Sequence, residues 1–216
     1  DPTCAPFAVT PCDIFITEAT FGLPIFRHPP VEHEIARLLA SLQLFSDRTH
    51  HMAAYSLGKA QRLLAELRRA GYRDPVCVDR ATATLCALYA AHGIGLGDVR
   101  QLGRDNPSGS RLVIAPPSAR EALAGRADTP PLTSFASGWM SVMKNARQSG
   151  GDLPLVISDH ADWPELTSTI REIAPGEVWI THGEEAALLA WARAERIEAR
   201  PLSIRGYGTE DRADAG

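Results

Sequence analysis

An α/β fold built on a mainly parallel sheet is predicted by three observations. Strand-like and helix-like segments alternate along most of the chain, most regularly from residue 153 onward. The strand-like runs are almost continuously apolar, as strands buried on both faces must be. Three of them end in ionisable side chains: Asp13-Ile14-Phe15-Ile16-Thr17-Glu18, Leu155-Val156-Ile157-Ser158-Asp159-His160 and Val178-Trp179-Ile180-Thr181-His182. Groups delivered at strand carboxyl ends mark the rim where open α/β sheets place ligands, so the chain reads as an enzyme.

In order, the strand ending at Glu18 is followed by a turn at Phe21-Gly22-Leu23-Pro24, and Pro29-Pro30 precede an amphipathic helix over residues 31–44. Polar residues, His50-His51 among them, read as an exposed connection. A second helix starts near Leu57 and stops at Gly71; residues 75–78 then read as a strand and 81–91 as a helix. The glycine-rich, polar stretch 93–109 reads as a loop. Strands follow at 111–115, ending against Pro116-Pro117-Ser118, and at 132–136, leading into Ser137-Gly138-Trp139. The last third alternates strand 153–158, helix 164–173, strand 177–181, helix 184–195 and an extended 199–204, with a polar, disordered tail at 208–216.

At 216 residues, either one large domain or two small ones fits. A 44% hydrophobic and 22% charged composition is that of a globular protein, and no apolar run reaches the roughly 20 residues of a membrane span. The first residues carry no export signal, so the expectation is a cytoplasmic protein with no membrane partner. Cys4, Cys12, Cys77 and Cys86 are irregularly spaced without a C-x-x-C pair, which favours buried reduced thiols over a zinc ribbon or a disulfide framework. A net charge of -4 gives no bulk attraction for nucleic acid, so phosphate binding would rest on a local patch.

Each candidate group has a plain reading beside the functional one. His160 follows a strand and precedes Ala161-Asp162-Trp163-Pro164, where Asp162 reads as a helix N-cap and His160 as an ordinary loop residue. His182 repeats the strand-to-histidine arrangement, and neighbouring parallel strands would bring both imidazoles to one rim. Imidazole there serves either as a metal ligand or as a proton donor near neutral pH. Glu18 either orients a histidine by accepting its second N–H or is a turn carboxylate. Gly58-Lys59-Ala60 lacks the glycine and hydroxyl residues of a P-loop; Lys59 at a helix start touches a phosphate or lies on a solvated face. Ser118, Ser137 and Gly138 at strand ends either cradle an anion or form ordinary turns.

Taken as an ordered set, Ile16-Thr17-Glu18-Ala19-Thr20-Phe21-Gly22, Leu57-Gly58-Lys59-Ala60-Gln61, Ala115-Pro116-Pro117-Ser118, Ser158-Asp159-His160-Ala161-Asp162 and Ile180-Thr181-His182-Gly183 resemble the metallo-β-lactamase-fold nucleases that carry a β-CASP domain. Phe135-Ala136-Ser137-Gly138-Trp139-Met140 and the segments around Glu18 and His160 are most similar to the bacterial DNA-ligase-associated exonucleases, relatives of the endonuclease that processes messenger RNA 3′ ends. The resemblance implies a partial metallo-β-lactamase αβ/βα sandwich from residues 1–26 and 151–216, with a Rossmann-like β-CASP domain inserted at 27–150. It implies a cofactor of two zinc ions, His182 as a zinc ligand, and His160, oriented by Glu18, as the acid that protonates the leaving oxygen. Metal-assisted hydrolysis of DNA or RNA phosphodiesters follows, with DNA ligase and a helicase as functional partners in repair.

The sequence departs from that family in having no His-x-His-x-Asp-His cluster, the source of most of the zinc ligands. The resemblance therefore implies the carboxyl-terminal part of a longer zinc-dependent nuclease, inactive by itself, with its sheet deprived of a partner layer. RNA processing and a non-catalytic scaffold subunit are the competing readings, and retention of Glu18, His160 and His182 weighs against the scaffold.

Overall fold

Most of the apolar runs become strands, and all the described strands pair in parallel. The run at 155–160 does not: its strand stops at Leu155 and belongs to a different sheet from the strand that carries His182, so His160 and His182 do not end neighbouring strands. The computed structural model describes residues 1–103, 110–119, 129–142 and 151–202. It divides into two compact units, one of residues 1–6 and 28–159 and the other of residues 7–27 and 160–216. The second boundary lies later than position 150 because Leu153–Leu155 pairs with the strand at 132–136 rather than with the second unit's sheet.

In the first unit, helix α1 (Val31–Leu44) precedes strand β2 (His50–Ala53), helix α2 (Lys59–Arg69), strand β3 (Val76–Val78), helix α3 (Arg80–Ala91) and strands β4 (Val99–Gln101), β5 (Leu112–Ala115), β6 (Leu132–Ala136) and β7 (Leu153–Leu155). Strand β1 (Ile14–Ala19) belongs to the second unit. The six strands form one parallel sheet in the order β4-β3-β5-β2-β6-β7. Counted from β2 as the first, this reads third, second, fourth, first, fifth, sixth, so the fourth strand lies between the first and second, unlike the usual dinucleotide-binding order. Strands β3 and β5 are buried at every position, which accounts for their uninterrupted apolar sequences. Against the sheet pack Ile35, Leu38 and Leu42 of α1 and Leu63, Leu64 and Leu67 of α2, at the three- and four-residue spacings of an apolar helix face.

Three expectations are corrected here. His50 and His51 do not lie in an exposed connection: they open β2, an interior strand, and His50 is fully buried, its Nε2 2.8 Å from Ser41 Oγ. The stretch 93–109 is not all loop, since β4 pairs with β3; at the sheet edge, Arg100 and Gln101 stay solvated and no apolar run betrays the strand. Of the four cysteines, all free, Cys77 and Cys86 are buried but Cys4 and Cys12 are exposed. The tail at 208–216 lies outside the described residues.

The second unit consists of strand β1 (Ile14–Ala19), helix α4 (Trp163–Ile173), strand β8 (Glu177–Gly183), helix α5 (Glu185–Ala194) and strand β9 (Ala199–Pro201). Its three strands run parallel in the order β1-β8-β9. Ala19, Val178 and Ile180 pack with Trp163 and Ile170 of α4 and Leu188 of α5. Strand alternation sends Ile14, Ile16 and Glu18 to the opposite face, together with their register partners Glu177, Trp179 and Thr181. Ile14 and Ile16 are 44% and 52% exposed there, while Arg200 covers the Trp179 ring at 4.1 Å and pairs with Glu177. No helix among the described residues is long and apolar enough to cross a membrane.

Candidate functional site

Glu18 is placed by a close approach of two backbones. Strand β1 runs in register with β8 from Ile14 opposite Glu177 to Glu18 opposite Thr181, and then slips, so that Ala19 faces Gly183 and His182 is the extra residue. The slip needs positive φ at His182 (55°) and Gly183 (94°). A Cβ at Gly183 would overlap the carbonyl of Ala19 and lie 2.6 Å from the Thr20 nitrogen, so only glycine fits. The Ala19 carbonyl accepts from the amides of Gly22 (3.0 Å) and Glu184 (2.9 Å), which ties the ends of both strands together. His182 is exposed on this bulge, one residue beyond the register partner of Glu18.

His160 is placed by the start of α4. Two residues after it, Asp162 caps α4 with a reciprocal bond pattern: its carboxylate accepts from Glu165 N, and Glu165 accepts from Asp162 N. The next amide, Trp163 N, donates to Phe26 O at 3.1 Å, which fastens the start of α4 to the segment leaving β1. Phe21 stacks edge-on against Phe26 at 4.9 Å and against the His160 ring at 6.2 Å. His160 Nδ1 thereby lies 3.3 Å from Glu18 Oε1, with the two side chains 52% and 31% exposed. The other carboxylate oxygen, Oε2, accepts from the Thr20 amide at 2.6 Å and from the Thr20 hydroxyl. A carboxylate facing Nδ1 selects the tautomer protonated there and makes Nε2, across the ring, the nitrogen that can exchange a proton with a substrate.

In the first unit, Lys59, Ser118, Ser137 and Gly138 all follow the carboxyl ends of strands in one sheet. The chain leaves β2 toward β3 and leaves the adjacent β5 toward β6, in opposite directions across the sheet, so these two strand ends form the sheet's topological switch point. Ser118 is exposed, Ser137 Oγ caps a short 3-10 turn by accepting from Trp139 N, and Gly138 is buried within that turn. Lys59 is not on a solvated face. It is buried, its Nζ donates to Ile157 O at 3.0 Å, and Asp159 Oδ2 lies 3.3 Å away. Burial lowers its pKa below the ordinary lysine value, against the opposing pull of the Asp159 carboxylate.

Arg62, one turn further along α2, donates to Ser158 O and pairs with Asp159 Oδ1 at 3.3 Å. Sequence reasoning passed over Arg62, although its i+3 spacing from Lys59 on an amphipathic helix is the available signal. The signal for Thr20 is likewise local: a hydroxyl residue two positions after an acid at a strand end.

The donor set does not make a zinc centre by itself. Among the described residues, no three His, Cys, Asp or Glu side chains gather into a group that could hold a metal ion. Glu18 engages His160 through one oxygen and Thr20 through the other, whereas an imidazole bonded to a carboxylate at Nδ1 can still ligate through Nε2, so the ligand candidates of the three are the two histidines. Two zinc ions require donors beyond these residues.

Comparison with known proteins bears on the same segments. Residues 155–200 match the family model described as the Zn-dependent metallo-hydrolase RNA specificity domain (RMMBL). The matched stretch carries His160 and His182 and runs from the end of β7 to β9; Glu18, Lys59, Ser118, Ser137 and Gly138 lie outside it. The chain is also 29% identical over 223 residues to an Opitutus terrae protein named "Probable DNA ligase", across 96% of this chain and 21% of that protein. It thus spans about a fifth of the length of that curated relative.

Proposed function

We propose that this chain carries the proton-transfer pair of a zinc-dependent nucleic-acid phosphodiesterase, a DNA exonuclease working with DNA ligase and a helicase in repair. The supporting observation is the hydrogen-bonding approach of Glu18 Oε1 to His160 Nδ1 at the carboxyl end of β1. In this reading water adds to phosphorus, the P–O bond to the leaving oxygen breaks, and Nε2 of protonated His160 gives that oxygen its proton. Glu18 holds the ring and balances the imidazolium charge before transfer. Activation of the attacking water falls to groups outside the described residues, and His182 is the residue this reading assigns to the metal site. The isolated 216 residues are accordingly expected to be inactive.

The metallo-hydrolase description of residues 155–200 supports the hydrolase class, and the ligase-named relative supports the link to DNA. RNA is the second reading, favoured by the RNA specificity named in the family description. The exposed Ile14 and Ile16 agree with a sheet whose second face is covered by further protein, the partial sandwich with its β-CASP insertion. The test is cleavage of end-labelled DNA and RNA by the native gene product, with zinc content measured in parallel for the wild type and His182→Asn. Cleavage of DNA ends with zinc lost in the variant is expected. Full zinc content in His182→Asn would remove His182 from the site, and cleavage of RNA alone would replace the DNA reading.

A further inference from the structure

We infer that Thr20 is a positioning residue for His160, acting through Glu18. The inference rests on the assignment of Glu18 and His160 to proton transfer and names the residue that sets their geometry. A glutamate carboxylate turns easily about its last side-chain bond, whose preferences are broad and two-fold. Glu18 at the end of β1 is exposed enough to do so, at 31%. Thr20 removes that freedom from two sides, because its amide (2.6 Å) and its hydroxyl both donate to Oε2.

Two donors converging on one oxygen fix the plane of the carboxylate and leave Oε1 as the oxygen facing His160 Nδ1 at 3.3 Å. Thr20 itself has little latitude. The neighbouring Ala19 carbonyl is held by the Gly22 and Glu184 amides, and Phe21, the next residue, lies edge-on to the His160 ring. The geometry therefore runs from Thr20 through both oxygens of Glu18 to one nitrogen of His160. It fixes the Nδ1-protonated tautomer, with Nε2 as the reacting nitrogen.

The experiment compares the 216-residue chain with its Thr20→Val, Thr20→Ala and Thr20→Ser variants. The ring nitrogens of His160 are read by proton–nitrogen correlation spectra at a pH above the imidazole range, and thermal melting shows that each variant is folded. Thr20→Val removes the hydroxyl at constant shape, and Thr20→Ala takes its place where the valine variant does not fold. Wild type and Thr20→Ser are expected to show the Nδ1-protonated form in excess. Thr20→Val lowers the ratio of the two tautomers by about tenfold, the effect of one charge-assisted hydrogen bond. An unchanged ratio in the folded valine or alanine variant overturns the inference, as does an equal loss in the serine variant, since a packing role would not respond to the hydroxyl. This readout does not depend on turnover, so a native gene product that cleaves no nucleic acid would refute the proposed function and leave the role of Thr20 to be judged on the spectra.

Discussion

Replacing Gly183 by alanine strikes the backbone contact that aligns Glu18 with β8. The new Cβ would overlap the Ala19 carbonyl and come within 2.6 Å of Thr20 N, and both partners are backbone atoms that cannot swing aside. A φ of 94° costs an alanine about 1 kcal/mol. Forcing the strands apart would also stretch the bonds that the Gly22 and Glu184 amides make to Ala19 O, at about 1 kcal/mol each. The loss expected is about 3 kcal/mol of stability in the second unit. The control is Gly93→Ala, where φ is 81° but no atom lies within 4 Å, so only the backbone term of about 1 kcal/mol applies. Urea unfolding followed by far-ultraviolet circular dichroism measures both. A Gly183→Ala loss no larger than that of Gly93→Ala would refute the argument that a steric fit between β1 and β8 holds the bulge.

Further outcomes follow from the buried charges of the first unit. Lys59→Met should cost about 2 kcal/mol in the same unfolding measurement, because Ile157 O loses its donor and Asp159 one of its two cationic partners; the partial exposure of Asp159 and its remaining bond to Arg62 keep the figure below that for a fully buried pair. His50 and His51 are held below the ordinary histidine value of 6.5, mainly by burial, so the folded chain binds fewer protons than the unfolded one as the solution is acidified. Stability present above about pH 6.5 should therefore be lost as pH falls toward the lower folded values, and His50→Gln combined with His51→Gln should flatten the curve below about pH 6.5. Denaturant titrations across that range check the slope.

How much of this was readable in the sequence depended on where each strand lies. Strands β1, β5, β6 and β8 carry apolar runs because they are buried or pack against helices, and each was legible from periodicity. Strand β2 was not, because His50 and His51 stand where aliphatic residues would signal a core, and Nε2 of His50 meets Ser41, a hydroxyl that sequence spacing does not reveal. Strand β4 was hidden by its edge position, where pairing requires no apolar side chain. In the candidate site, Glu18 was legible from a strand end and His160 from family resemblance, although 142 positions separate them; the strand before His160 stops at Leu155, so no strand end places that ring. The burial of Lys59 was not, since it comes from a carbonyl and a carboxylate 98 and 100 positions away. The local bonds of Thr20 to Glu18 could have been read, because they close within two residues.

The most direct measurement of the central claim is steady-state cleavage of a labelled polynucleotide by the native gene product and its His160→Asn variant, with binding measured separately. If His160 passes the proton to the leaving oxygen, kcat should fall by about a hundredfold or more while affinity for the polynucleotide stays within about threefold. A variant that cleaves at the wild-type rate would contradict the account.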